Sequence, residues 1–174
     1  MPRSLELVTM SSPLPISDRL AIQDLLTAYS WALDTGDTEG MVKLFTADAR
    51  LVEAVFENPD VWEGRDAIRK LCQHYFNVPN FPGRQHHVGN SVFEGGGDRV
   101  KVKSFVFVTE CQGEPPYVLR FAGWYEDVVV KEADGCWRFQ SRIIRLWDGE
   151  ALKNFPGRGQ YVPRKRPPEL AIKR

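Results

Sequence analysis

The chain has 174 residues, enough for one domain with a sizeable core. Lys plus Arg and Asp plus Glu balance at 23 each, so no net field draws it to nucleic acid or to a membrane. Three widely spaced cysteines without a C-x-x-C pattern (Cys72, Cys111, Cys136) argue against a disulfide framework and a structural zinc site, and fit a reducing, cytoplasmic setting.

Residues 1–16 read as an arm, with Pro13 and Pro15 opposing helix. Met1–Ser12 carries one arginine and no long apolar run, so no signal peptide is expected there. Nowhere does an apolar stretch approach the roughly 20 residues of a membrane span. Ser17 is the expected N-cap of a helix running to Asp34. Its apolar positions Ile22, Leu25, Leu26, Tyr29 and Leu33 fall on one stripe, and Gly36 ends it. Trp31 lies three residues before Asp34 and is expected on a similar side of the last turn. A short second helix, capped by Asp37 or Thr38, carries Met41, Leu44 and Phe45.

A strand is expected from Arg50 to Phe56, then a turn at Asn58-Pro59-Asp60. Asp66–Phe76 reads as a helix with Ala67, Ile68, Leu71, Cys72 and Tyr75 on one face. Beyond a proline-bearing loop the period changes to two. His86–Glu94, Val100–Cys111, Tyr117–Lys131 and Cys136–Trp147 read as long strands. Gly95-Gly96-Gly97-Asp98, Gly113-Glu114-Pro115-Pro116 and Ala133-Asp134-Gly135 punctuate them as hairpin turns. Three helices followed by four antiparallel strands predict an α+β domain over residues 17–147, with helices on one face of a curved sheet. Residues 148–174, with Pro156, Pro163, Pro167 and Pro168 and a basic excess, predict an extended tail that covers a pocket mouth or wraps a neighbouring subunit.

The chemistry-bearing residues are Asp34, at a helix end, and His86, in Arg84-Gln85-His86-His87-Val88-Gly89-Asn90. Brought together by a fold, they make a base and its orienting partner, able to take a proton from carbon or oxygen without a cofactor. Strand alternation puts His86 and His87 on opposite faces, so only one points inward. The adjacent pair therefore cannot face one metal ion, and no metal site is expected. Gly95-Gly96-Gly97 lacks the strand-to-helix setting of a phosphate loop. Arg142 either pairs with Glu126 or Asp34 or binds a carbonyl, phenolate or leaving oxygen. Tyr29, Tyr75 and Tyr125 could donate a proton to a leaving group. Trp31, Phe105, Phe107, Phe121 and Trp124 add aromatic area for a flat, apolar ligand.

Residues 17–147 resemble the SnoaL-like branch of the NTF2-like superfamily, which includes scytalone dehydratase, hexachlorocyclohexane dehydrochlorinase and polyketide cyclases. The resemblance is carried by Ala21-Ile22-Gln23-Asp24-Leu25 with Ala32-Leu33-Asp34, by Gly36-Asp37 through Leu44-Phe45 to Asp48-Ala49, and by Glu63-Gly64-Arg65-Asp66-Ala67-Ile68. It implies a cone-like antiparallel sheet with three helices on its concave face. It places His86 at the catalytic histidine, Asp34 at its partner and Arg142 in the pocket. The full tyrosine and second-histidine set of scytalone dehydratase has no match at corresponding positions.

The resemblance implies a cofactor-free lyase acting on a small hydrophobic alcohol or diol. The reaction would be dehydration, or carbon–carbon cleavage releasing an aldehyde, as from a lignin-derived diaryl diol. The same fold also serves non-catalytic binders, scaffolding subunits, isomerases and cyclases. A homo-oligomer is expected, a trimer ahead of a dimer. Val100–Val108 and Val128–Val130 are expected to supply apolar residues to the sheet's open face.

Overall fold

The computed structural model describes residues 14–78, 81–110, 117–156 and 165–171. The first 13 residues, Cys111, the expected turn at 113–116 and residues 157–164 and 172–174 of the tail lie outside the described residues. The elements are α1 (Ile16–Thr35), α2 (Thr38–Lys43), β1 (Phe45–Ala54), β2 (Asp60–Glu63), α3 (Gly64–Phe76), β3 (Arg84–Gly96), β4 (Arg99–Glu110), β5 (Val118–Lys131), β6 (Trp137–Leu146) and a short α4 (Gly149–Leu152). One sheet has the order β2-β1-β6-β5-β4-β3. It is antiparallel except where β1 runs parallel to β6. The curved, unclosed sheet carries α1, α2 and α3 on one face, the α+β architecture expected from the pattern.

Local chemistry explains most boundaries. Helix α1 starts one residue before Ser17, because the Pro15 carbonyl already accepts from the Arg19 N–H at 2.9 Å. Ser17 is therefore inside the first turn and does not cap. Gly36 closes the helix in the left-handed conformation (φ 77°) that glycine adopts without steric cost. Asp37 caps α2 by accepting from the Gly40 N–H at 2.8 Å.

Strand β1 begins at Phe45, earlier than the expected Arg50. A register shift between Phe45 and Arg50 breaks its alternation, so the first half does not read as a strand. Strand β2 has four residues, too few to carry a period, and follows the turn at Asn58-Pro59. The β1–β6 pairing joins segments about ninety residues apart, for which no hairpin signal exists.

Alternation decides what each strand buries. Val100, Val102, Val106 and Val108 face the helices and are buried. The open face receives the other parity of β4, including Lys101, Lys103, Phe105 and Phe107. Of the segment Val100–Val108 expected to supply apolar residues to the open face, Phe105 and Phe107 do so, while its even-numbered valines fill the core. Half-exposed Phe105 and Phe107 are joined there by Trp147, whose indole meets Phe105 edge-on at 4.8 Å. Among the described residues no helix is long and apolar enough to cross a membrane.

Arg142 has no exposed surface at all. Its partner is Asp127, in neither of the expected pairings, through Nε at 2.8 Å and Nη2 at 2.7 Å. The rings of Tyr29, Tyr125 and Phe139 surround the guanidinium at 3.9, 4.1 and 4.1 Å. Its Nη1 has no hydrogen-bond partner among the described residues, so aromatic faces carry part of the compensation a buried cation needs. Arg142 is therefore the centre of the junction between α1, β5 and β6. Asp127→Asn leaves that cation sealed in without its counter-charge. The variant is expected to lose about 3–5 kcal/mol of unfolding free energy, read as a lower midpoint in urea.

Candidate active site

A cavity of about 230 Å³ lies between α1, α3 and the concave face of the sheet, sized for a small one- or two-ring molecule. His86 forms part of its wall. Asp34, at the end of α1, grips it twice: the carboxylate accepts from the His86 backbone N–H at 2.7 Å and meets ring Nδ1 at 2.5 Å. Both side chains are largely buried, at 11% and 16% exposure. A carboxylate at a helix C-terminus sits in an unfavourable dipole field, and these two donors offset it. The contact assigns the proton to Nδ1 and leaves Nε2 as the basic nitrogen. Nε2 has no protein partner among the described residues.

His87, on the opposite parity of β3, lies outside the cavity. It stacks on Phe107 at 4.7 Å and meets Thr109 Oγ1 at 3.0 Å. Of the two histidines only His86 reaches the cavity.

The other sequence-predicted residues divide cleanly. Tyr29, Tyr75, Phe121 and Tyr125 line the cavity. Trp31, Phe105, Phe107 and Trp124 do not. Trp31 is 68% exposed, because three residues on a helix turn it about 60° away from Asp34, enough to leave the buried stripe. Trp124 is buried on the far side of the sheet, at 6.0 Å from Trp147. Arg142 lies behind Tyr29 and Tyr125 and is not a cavity wall, so its expected contact with substrate oxygen is corrected by its burial against Asp127.

The three tyrosines are poor acids here. Burial pushes the Tyr29 phenol up to about 12, against the opposing Arg142 charge. Burial drives Tyr75 and Tyr125 well above the ordinary range, and the Glu53 carboxylate adds to the effect at Tyr75. They can donate hydrogen bonds but surrender a proton only at high cost.

Sequence reasoning missed the charged walls. Glu53 is buried on β1, where it accepts from the Tyr75 hydroxyl and from Trp62 Nε1 at 3.1 Å. Glu110, at the end of β4, is gripped by Arg120 at 2.9 and 3.0 Å and by Arg84 at 3.2 Å. Burial alone would raise the Glu110 carboxyl, but the Arg120 and Arg84 contacts hold it below its ordinary range. A signal existed for both carboxylates. Glu110 shares the inward parity of Val102, Val106 and Val108, and Glu53 that of Leu51. Pro167 and Leu170 of the tail also touch the cavity. Beside them Arg166 pairs with Asp60 and packs 4.1 Å over the Phe56 ring.

Comparison with known proteins identifies the family and the fold. Residues 15–143 match the model of the SnoaL-like domain. The uncharacterized protein Rv2910c of Mycobacterium tuberculosis is 34% identical over 137 residues, which is 78% of this chain and 89% of that protein. A proposed scytalone dehydratase from Novosphingobium aromaticivorans is 27% identical with a TM-score of 0.63, over 75% of this chain and 85% of the other. A cystatin-like protein of unknown function from Nostoc punctiforme superposes with a TM-score of 0.67 at 21% identity, over 76% and 93% of the two chains, and attests the fold.

Cys72 lines the cavity with no solvent exposure, and burial pushes its thiol up to about 12. Cys136 is exposed. Near neutral pH the Cys72 thiolate is a minute fraction of the total, and only the thiolate alkylates. Iodoacetamide on the native protein is expected to modify Cys136 and spare Cys72, with both modified after denaturation. Peptide mass mapping reads the result.

Proposed function

Because the chain belongs to the SnoaL-like family, we propose that it is a cofactor-independent lyase acting on a small hydrophobic, aromatic alcohol or diol. The observation that carries this reading is the two-pronged Asp34–His86 contact at the wall of a cavity rich in aromatic rings. A binding domain has no need of a carboxylate locked to the hidden nitrogen of an imidazole. A general base needs that arrangement, because it fixes the tautomer and stabilises the imidazolium as it forms. The similarity to a proposed scytalone dehydratase supports dehydration as the reaction.

In the proposed reaction His86 Nε2 takes a proton from the substrate carbon. The electron pair that is released ends in the new double bond once hydroxide has departed from the neighbouring carbon. The raised tyrosines are ill-suited to protonate that hydroxide. The imidazolium is the acid at hand, so its proton leaves with hydroxide as water and the base is restored. With a diol, the same Nε2 can instead take a hydroxyl proton; that oxygen becomes the aldehyde C=O as the adjacent carbon–carbon bond breaks, and the bond's electron pair on the other carbon takes up the imidazolium proton. Positioning in a desolvated cavity supplies the remainder of the rate.

The test is mass spectrometry of pooled aromatic and alicyclic alcohols and diols incubated with purified protein. Wild type is expected to generate products lighter by water, or by an aldehyde fragment. His86→Asn should slow this about 10²–10⁴-fold. Asp34→Asn should lose a comparable factor, because the amide forces the ring proton onto Nε2. Turnover that persists in both variants would exclude the dyad as the base. Inertness of wild type across the pools would favour a binding role.

A further inference from the structure

With Arg142 sealed against Asp127, the cavity needs another cation to meet the charge that proton abstraction creates. Arg84 precedes His86 by two residues on β3, so both side chains leave the same face of the strand. Both line the cavity. The Arg84 side chain is 19% exposed, and its guanidinium lies 5.1 Å over the Phe81 ring. That same ring is 6.3 Å from the His86 imidazole. Phe81 therefore spaces the base and the cation along one wall.

The hydrogen bonding of Arg84 is incomplete. Only Nε is engaged, at 3.2 Å from Glu110 Oε2, and both Nη groups are without a protein partner among the described residues. Glu110 is already held at both oxygens by Arg120. Glu110 thus accepts from both guanidinium groups, and its bond to Arg84 goes to Nε alone. At another part of the wall, Glu53 has its oxygens occupied by Tyr75 and Trp62. The wall therefore presents free cationic donors beside the base.

We propose that Arg84 binds the substrate oxygen on which negative charge develops. The substrate is then an aromatic compound with a ring-conjugated carbonyl, whose carbon adjoins the carbon that loses its proton. This deepens the lyase reading and rests on it for the reaction. When His86 Nε2 removes the proton, the C–H electron pair moves onto that oxygen and forms an oxyanion against the Arg84 Nη donors. Collapse of the oxyanion expels hydroxide from the neighbouring carbon, and hydroxide leaves as water with the imidazolium proton. A planar guanidinium suits this oxygen because it remains charged throughout and supplies parallel donors. Arg84 is thus a further catalytic residue, in one of the two alternative roles expected of Arg142.

The probe is 4-nitrophenol, whose phenolate absorbs at longer wavelength than the phenol, so ionisation of bound probe is read without turnover. The protein is titrated in buffer about one unit below the phenol's own pKa. Wild type is expected to show a saturable phenolate band, with the bound probe's ionisation constant raised about tenfold. Arg84→Met should abolish the band, Arg84→Lys should retain part of it, and His86→Asn should retain it. Far-UV circular dichroism and thermal unfolding confirm that each variant is folded. Absence of a saturable band in wild type, an undiminished band in Arg84→Met, or a band lost only in His86→Asn overturns the proposal. The lyase reading fails separately: an Arg84-dependent band without product from any pool overturns turnover alone, and turnover without the band overturns the role of Arg84 alone.

Discussion

The guanidinium of Arg142 holds the two halves of the molecule in register. It is anchored on β6, bonded to Asp127 of β5 and faced by Tyr29 of α1. Burying such a charge is costly, and the cost falls only when carboxylate and ring faces are placed correctly together. That requirement fixes where α1 crosses the sheet. Asp18, in the first turn of α1, adds a second tie by accepting from Lys131 at 2.8 Å and Trp137 at 3.1 Å. With the start and middle of the helix tied down, its last turn delivers Asp34 to His86 on the strand at the far edge of the sheet. The dyad is thus a consequence of a rigid helix position, which suits a base whose geometry must be held closely.

Period-two alternation performs the second selection. Residues 86 and 87 are chemically identical, yet one faces the cavity and the other stacks on Phe107 outside. A one-residue slip of β3 would exchange them. The ladder to β4 runs from Arg84 opposite Glu110 to Gly96 opposite Arg99, and a slip would turn Val88 and Phe93 of β3 away from the core they pack against. The irregularity that β3 does contain, a register shift between Gly89 and Val92, falls after the histidine and includes Asn90 at φ 51°. Asparagine tolerates that left-handed conformation better than most residues. Gly123 serves packing in a different way: a Cβ there would lie 2.0 Å from the Arg145 carbonyl oxygen and 2.5 Å from the ring of Phe121, a cavity wall.

What could be read beforehand followed from local periods and caps. The stripe of α1, the glycine that ends it, the face of α3 and the four long strands all leave short-range signatures, and so the fold class was legible. Asp34 and His86 were legible through their placement at a helix end and on an inward parity, joined by the motifs that mark the family. Long-range facts were not. The parallel β1–β6 pairing joins segments distant in the chain, and the meeting of Arg142 with Asp127 follows a register shift between Val128 and Val129 in the β5–β6 ladder; no local pattern announces either. Trp31 and Trp124 show a further limit: aromatic content says that large rings exist, and only tertiary placement says which face they serve.

The distribution of charge around the cavity constrains the chemistry more than its aromatic content does. Apolar walls would accept many flat molecules with little preference, since added methylene or ring contacts discriminate weakly. The polar groups are few and already partly committed to one another: Glu53 to Tyr75 and Trp62, and Glu110 to Arg120 and Arg84. Such pairing keeps two carboxylates in an enclosed space without leaving either one unsatisfied. It also leaves His86 Nε2 and the outer donors of Arg84 as uncommitted groups on one strand face. A base that takes a proton and a cation that receives the resulting charge must act on different atoms of the same molecule. Their two-residue spacing on β3, about 7 Å along a strand, therefore limits how far the acidic carbon and the charge-bearing oxygen can lie from each other in any molecule that uses both.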